Sequence, residues 1–285
     1  MNYGYVKLRD FKENYIKEAE ESVIVPEYST YKEYDAKMAE EMKKGFQTAP
    51  TKMFIQMNEF LRRNVRSDWD ISVISYQEEK ETYIATMNAV EALGIKYIPT
   101  IYSYKTENEE LQKNSLALGY GNNINIFLSY YLFNKELSDL KEKEYIIGHE
   151  LGHNQNNATA PYILGYGETF EISRYGEYTA DRAGMLVCRD VEAATRALIK
   201  VSSEGYTEEK VAKLAHDLVE NIEDTIPDLP KDRDTHPCLE RRIAAMKSFA
   251  SSQMYARLTG LPADSDALSD EALDLELERI IKGGN

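Results

Sequence analysis

The chain has 285 residues with 34 Lys and Arg against 49 Asp and Glu, a formal net charge of −15 that argues against nucleic-acid coating or adhesion to anionic membranes. Apolar residues at 42% and aromatic residues at 11% describe a globular chain rather than a disordered one, and the length allows roughly one or two domains with a sizeable core. Cys188 and Cys238 are too few for a disulfide framework, no apolar run approaches a membrane span, and the first residues lack the apolar region of a secretion signal. The expectation is a soluble, cytoplasmic protein with no nucleic-acid partner and no transmembrane segment.

In chain order, residues 1–75 read as a helical, Lys/Glu-rich segment ahead of a unit spanning 76–285. Within it Met53, Met57, Phe60 and Leu61 follow i, i+4, i+7, i+8 spacing, the stripe of a helix packed on a core. A further helix carries Tyr83, Met87 and Val90 and stops at Gly94, a good C-terminal cap residue. Residues 95–104, rich in Ile, Tyr and Thr, predict a strand, and Pro99, which has no N–H for a ladder, puts that strand at an edge or a bulge. A second strand is predicted over 123–129, where Ile124 and Ile126 alternate with Asn123 and Asn125 after the turn-forming run at 119–122. From about Ser138 the pattern is helical, interrupted near 156–167 and 224–235, and the acidic tail keeps helical spacing at Leu273, Leu277, Ile280 and Ile281. The fold class that follows is α+β, mainly α, with a small central sheet.

The chemistry concentrates at 149–153, His-Glu-Leu-Gly-His. Two His at i and i+4 on a helix project side by side and can chelate one ion, while Glu150 between them is offset to reach a water instead of the metal. A catalytic zinc usually has three protein ligands. The metzincin continuation needs Gly at 156 and His at 159, where this chain has Asn156 and Thr159. The third ligand is therefore sought among the acids of a following helix, Glu168, Glu171, Glu177, Asp181, Asp190 and Glu192. Only Glu177 has another carboxylate at i+4, so Glu177 can bind the ion while Asp181, one turn on, accepts the second ring N–H of a ligand His. Ala180 and Gly184 on the same stretch are small enough for close helix approach.

A third cluster follows a loop punctuated by Pro227 and Pro230. Pro237 suits the first helical position, which leaves His236 on the loop-to-helix junction, able to point into a cleft. On that helix Leu239, Ile243, Met246 and Ala250 form the buried stripe, Arg242 flanks it, and Arg241 is expected on the opposite, solvated side. His216 lies opposite the stripe of its own helix and is expected in solvent.

Taken together, the segments 149–153, 177–184 and 236–243, with Asn-Ser-Leu-Ala at 114–117, resemble the M48 family of zinc metallopeptidases, gluzincins with a downstream Glu ligand. The likeness runs from about residue 80 to 260, and the absence of a membrane span makes the chain similar to soluble single-chain members. The resemblance implies a zincin-like fold with the small sheet packed on the active-site helix. It implies one zinc per chain held by His149, His153 and Glu177, with Glu150 as catalytic base and Asp181 orienting a ligand. It further implies that His236 and Arg242 steady the tetrahedral intermediate, and that Asn114 and Ala117 contact substrate. The expected activity is zinc-dependent endopeptidase action on extended or unfolded polypeptide, the substrate lying along an edge strand near Asn123 and Asn125. Two alternatives stay open. One is a catalytically silent zinc-binding interaction module, against which the intact Glu150 speaks; the other is a zymogen held latent by its N-terminal helices. Cys238, near the first turn of the His236 helix, is a candidate reactive thiol.

Overall fold

A computed structural model of the chain describes residues 13–119, 124–155, 160–164, 170–202, 205–225 and 236–282. Three helices lead: α1 (Glu13–Ser22), α2 (Lys32–Thr48) and α3 (Pro50–Asn64). Pro50 opens α3, where its missing N–H costs nothing. Met53 and Met57 are buried as their spacing predicts, packed with Met38, Met42 and Phe46 of α2 in a core of their own. Gly45 makes that packing close, since a Cβ there would lie 2.7 Å from Met53 Sδ.

Four short strands follow in a mixed sheet of order β1-β2-β4-β3: β1 (Asp70–Val73), β2 (Thr100–Lys105), β3 (Ser115–Leu118) and β4 (Asn125–Ser129). β2 and β4 pair in parallel, and the outer pairs are antiparallel. Three expectations need correction. The segment 1–75 is not all helix, because β1 lies within it, directly after Trp69, which stacks on Tyr104 of β2 with ring centroids 4.0 Å apart. β2 is a central strand; it begins at Thr100, so Pro99 stands just outside the ladder and removes no bond from it. β4 is also central, with all five residues buried, and the edge on that side is β3, a four-residue strand too short to announce itself in the sequence.

Between β1 and β2 lies α4 (Lys80–Ala92), which ends before Gly94 at φ 62, as its cap predicts. Its buried face is Thr82, Ala85, Thr86 and Ala89, small residues that let the helix lie close to its neighbours. One turn, α5 (Glu109–Gln112), leads into β3, and a π-helical turn at Leu132–Glu136 follows β4.

The remainder is helical, as the pattern predicts: α6 (Leu140–Gln155), α7 (Ala160–Leu164), α8 (Phe170–Cys188), α9 (Val191–Ser202), α10 (Glu208–Thr225), α11 (Leu239–Ala250), α12 (Gln253–Thr259) and α13 (Asp270–Lys282). α7 falls inside the interruption expected at 156–167, and residues 226–235 of the second interruption lie outside the described residues. The main core joins the inner face of the sheet, through Ala117, Ile126 and Leu128, to Ile146, Ile147 and Leu151 of α6. α6 and α8 meet almost backbone to backbone. A Cβ on Gly152 would come within 2.6 Å of Ala183 Cβ, and one on Gly184 within 2.7 Å of the Tyr145 ring. The architecture is thus α+β, mainly α, and no described helix is long and apolar enough to cross a membrane.

Candidate metal centre and active site

Close contact of α6 with α8 decides the site. His149 and His153 sit one turn apart on α6, and Glu177 faces them from α8. The two Nε2 atoms are 3.1 Å apart, Glu177 Oε2 is 3.5 Å from His149 Nε2, and Glu177 Oε1 is 3.2 Å from His153 Nε2. Ligand atoms of all three lie within 4.8 Å of one another, a cluster suited to one ion. Glu177 Oε2 is buried and takes part in no hydrogen bond, with His149 Nε2 and Arg242 Nη2 each 3.5 Å away.

Asp181, one turn beyond Glu177, is the hub behind the cluster. Its carboxylate faces His149 Nδ1 at 3.0 Å and accepts from Tyr145 Oη at 2.6 Å and from Arg242 Nε at 2.8 Å. The geometry expected from the i, i+4 pair is present, with His149 fixed so that Nε2 turns toward Glu177. Burial opposes ionisation of Asp181, yet Arg242 and His149 outweigh it and hold the carboxyl down to about 2. Glu177 is also depressed, since His153, Arg242 and His149 together overcome its burial. Burial lowers His149, whereas His153, desolvated too, is raised to about 8 by facing Glu177. Tyr145 was missed in the sequence, although its place four residues before His149 puts it on the same helix face.

Glu150 lines both cavities that open beside the cluster. Burial raises its carboxyl to about 8 against the pull of His153 and Arg242, and the Ala117 backbone N–H of β3 donates to it. Of the other expected residues, His236 is exposed, with Nε2 3.4 Å from Glu177 Oε1, and it lines the first cavity, of about 200 Å³. It stands three residues ahead of α11 because the helix begins at Leu239, so Pro237 precedes the helix and does not open it. Arg242 lines the same cavity with its guanidinium committed to Asp181 and 3.5 Å from Glu177. Asn114 lines both cavities.

Asn125 and Arg241 stand elsewhere than expected. Asn125 is 2% exposed in the middle of the sheet, its amide directed to the Leu118 carbonyl, so it does not face the cleft. Asn123 lies outside the described residues. Arg241 is not solvated: it is fully buried, and its Nε donates to the Ile280 carbonyl at 2.9 Å, because α13 covers the face of α11 that periodicity assigned to water. Cys238 precedes α11 and lines neither cavity. His216 is exposed as expected, paired with Glu192 at 2.9 Å. The polar end of α6 is buried rather than frayed, since Asn154 donates to the Gly119 carbonyl and Gln155 to that of Leu93.

Residues 158–250 match the model of Peptidase family M48, the family that the sequence resembles. The match takes in Glu177, Asp181, His236 and Arg242 and begins after His153. It supports a peptidase, a hydrolase of peptide bonds. No curated protein and no solved structure matches the chain.

Proposed function

We propose that the chain is a zinc-dependent endopeptidase that cleaves extended or unfolded polypeptide. The observation that carries this reading is the convergence of His149, His153 and Glu177 beside Glu150 in a cleft bordered by a sheet edge. The donor set fits zinc. Bonds of about 2.0–2.1 Å place tetrahedral ligand atoms roughly 3.3 Å apart; the two Nε2 atoms are 3.1 Å apart, and each faces a different oxygen of Glu177, His153 facing Oε1 at 3.2 Å and His149 facing Oε2 at 3.5 Å. Imidazole nitrogens with one carboxylate are also the ligands of catalytic zinc sites.

Bound there, zinc would supply a Lewis acid that polarises the scissile carbonyl and acidifies water in the cleft. The chain does the rest. Glu150, its ionised form favoured against burial by a cation held in the cluster and its carboxylate steadied by the Ala117 N–H, takes the proton of the attacking water and returns it to the leaving amine. His236, exposed at the cleft, donates from Nε2 to the oxygen on which charge develops. Arg242 acts through Asp181 and Glu177, holding both ionised and thereby fixing the imidazole of His149. Substrate enters as an added strand on β3, whose outer edge is unpaired among the described strands, so main-chain bonds select extended chain over folded domains. A cytoplasmic setting rests on the low cysteine count.

The test is incubation of zinc-loaded protein with casein, beside Glu150→Gln, with metal content measured in both. Cleavage by the parent and none by a variant that still holds zinc supports the reading. Bound zinc with no cleavage by either points to a silent metal-binding module.

A further inference from the structure

The second cavity, of about 420 Å³, is walled on one side by the N-terminal helix α3, and its composition differs from the rest of the molecule. Its floor is apolar, with Phe60 of α3, Trp69, Leu111 and Leu116. Apart from Glu150 and Glu177, which belong to the site already described, its charged lining residues are Arg63 and Arg66. The lining thus balances two cations against two anions, in a chain whose net charge is −15. The two guanidiniums face Glu59 at 3.4 Å and Asp68 at 3.0 Å, neither of which lines the cavity, and both pairs are solvent-exposed. Exposed pairs are generally weak; Arg63 has one contact at 3.4 Å while Arg66 meets both oxygens of Asp68, so an arriving carboxylate competes most readily for Arg63. The cavity size suits side-chain capture, and an apolar body with a few charged groups is the make-up of a binding site.

We propose that this cavity is a substrate subsite built by α3, taking an aromatic or aliphatic side chain on its floor and an acidic residue next to it at Arg63 and Arg66. It rests on the peptidase reading, since the same cleft holds the scissile bond, and it names the substrate class: acidic segments with an apolar anchor.

Trp69 is the single tryptophan of the chain and lines the cavity, so its emission reports occupancy directly. The experiment uses full-length, zinc-loaded Glu150→Gln protein titrated with three labelled peptides of one apolar sequence, flanked by Glu, Gln or Lys. Peptide anisotropy gives affinity, and Trp69 emission gives location. The Glu peptide should bind about tenfold more tightly than the Lys peptide, shift Trp69 emission, and weaken with salt. Arg63→Gln with Arg66→Gln should level the three affinities, and Arg63→Glu with Arg66→Glu should reverse their order. Both changes lie on the surface, and thermal melts check that the fold is kept. Equal affinities for the three peptides, or binding that leaves Trp69 emission unchanged, would overturn the subsite while leaving the peptidase reading intact provided the parent still cleaves casein. Absence of binding together with absence of casein cleavage would overturn both.

Discussion

Each carboxylate in the cleft has a distinct task, and single substitutions should separate them. Glu150→Gln should abolish hydrolysis with zinc retained, because that side chain works on water, and metal analysis beside a casein assay checks it. Glu177→Gln should weaken zinc binding far more than Asp181→Asn, which loosens His149 at a typical cost of about 10–100-fold, and zinc titration of the two gives the order. The neighbouring arginines should differ in kind. Arg242→Ala removes the charge that holds Asp181 and Glu177, so turnover and zinc affinity should both fall, with stability lost as well because buried carboxylates are left without their partner. Arg241→Ala should cost about 2–4 kcal/mol of stability, since it empties a fully buried position and strips the Ile280 carbonyl of its donor. Thermal melts and steady-state kinetics on both variants decide it; an Arg241→Ala protein as stable as the parent would show that α13 does not seal that face.

Helices carry these residues, and their spacing sets the metal geometry. Gly152→Ala would put a Cβ 2.6 Å from Ala183 Cβ and 2.9 Å from Ala180 Cα, on backbone that cannot swing aside. Overpacking of about 1–3 kcal/mol exceeds the helix-propensity gain of about 1 kcal/mol, so the variant should melt lower and also bind zinc less tightly as α8 moves off α6. The start of α6 is locked by a different device: Glu142, fully buried, accepts from Arg196 Nε and Lys200 Nζ of α9, each at 2.9 Å. On α2 the buried Asp35 accepts from Ser29 Oγ at 2.6 Å, and burial raises its carboxyl from 3.8 to about 6. The folded chain then holds the proton more tightly than the unfolded chain. Its contribution to stability is full below pH 3.8 and is lost as pH rises through about 6. Asp35→Asn keeps an acceptor for Ser29 and should add about 1–2 kcal/mol at pH 7 while adding nothing near pH 4, a difference read from melts of parent and variant across that range.

At the scale of the molecule, what could be read in the sequence was local. The i, i+4 His pair and the Glu177–Asp181 pair each declare themselves within one helical turn, and the structure brings the two turns together. What escaped depends on partners distant in the chain. β4 is central and Arg241 is buried only because β3 and α13 cover them, and periodicity within one segment carries no word of either. The same distinction bears on the N-terminal segment. α3 of that segment walls the second cavity, as a latch would, but residues 28–30 run between the helices that build the site and bind both. Tyr28 Oη donates to Gln155 Oε1 of α6 at 2.6 Å, Arg182 of α8 donates to the Tyr28 carbonyl at 3.3 Å, and Thr30 Oγ1 donates to the Tyr175 carbonyl at 2.7 Å. Hydrogen bonds of this kind contribute about 0.5–1.5 kcal/mol each, with more lost when buried groups are left without partners. Deleting residues 1–31 should therefore lower Tm by several degrees and reduce both zinc affinity and casein cleavage, because α6 and α8 lose a shared brace. A latent precursor predicts the opposite sign, activity that rises when the segment is cut away. Tm, zinc affinity and cleavage rate measured on the same truncated protein distinguish the two, and a rise in cleavage at unchanged Tm would show that these contacts restrain the enzyme instead of holding it together.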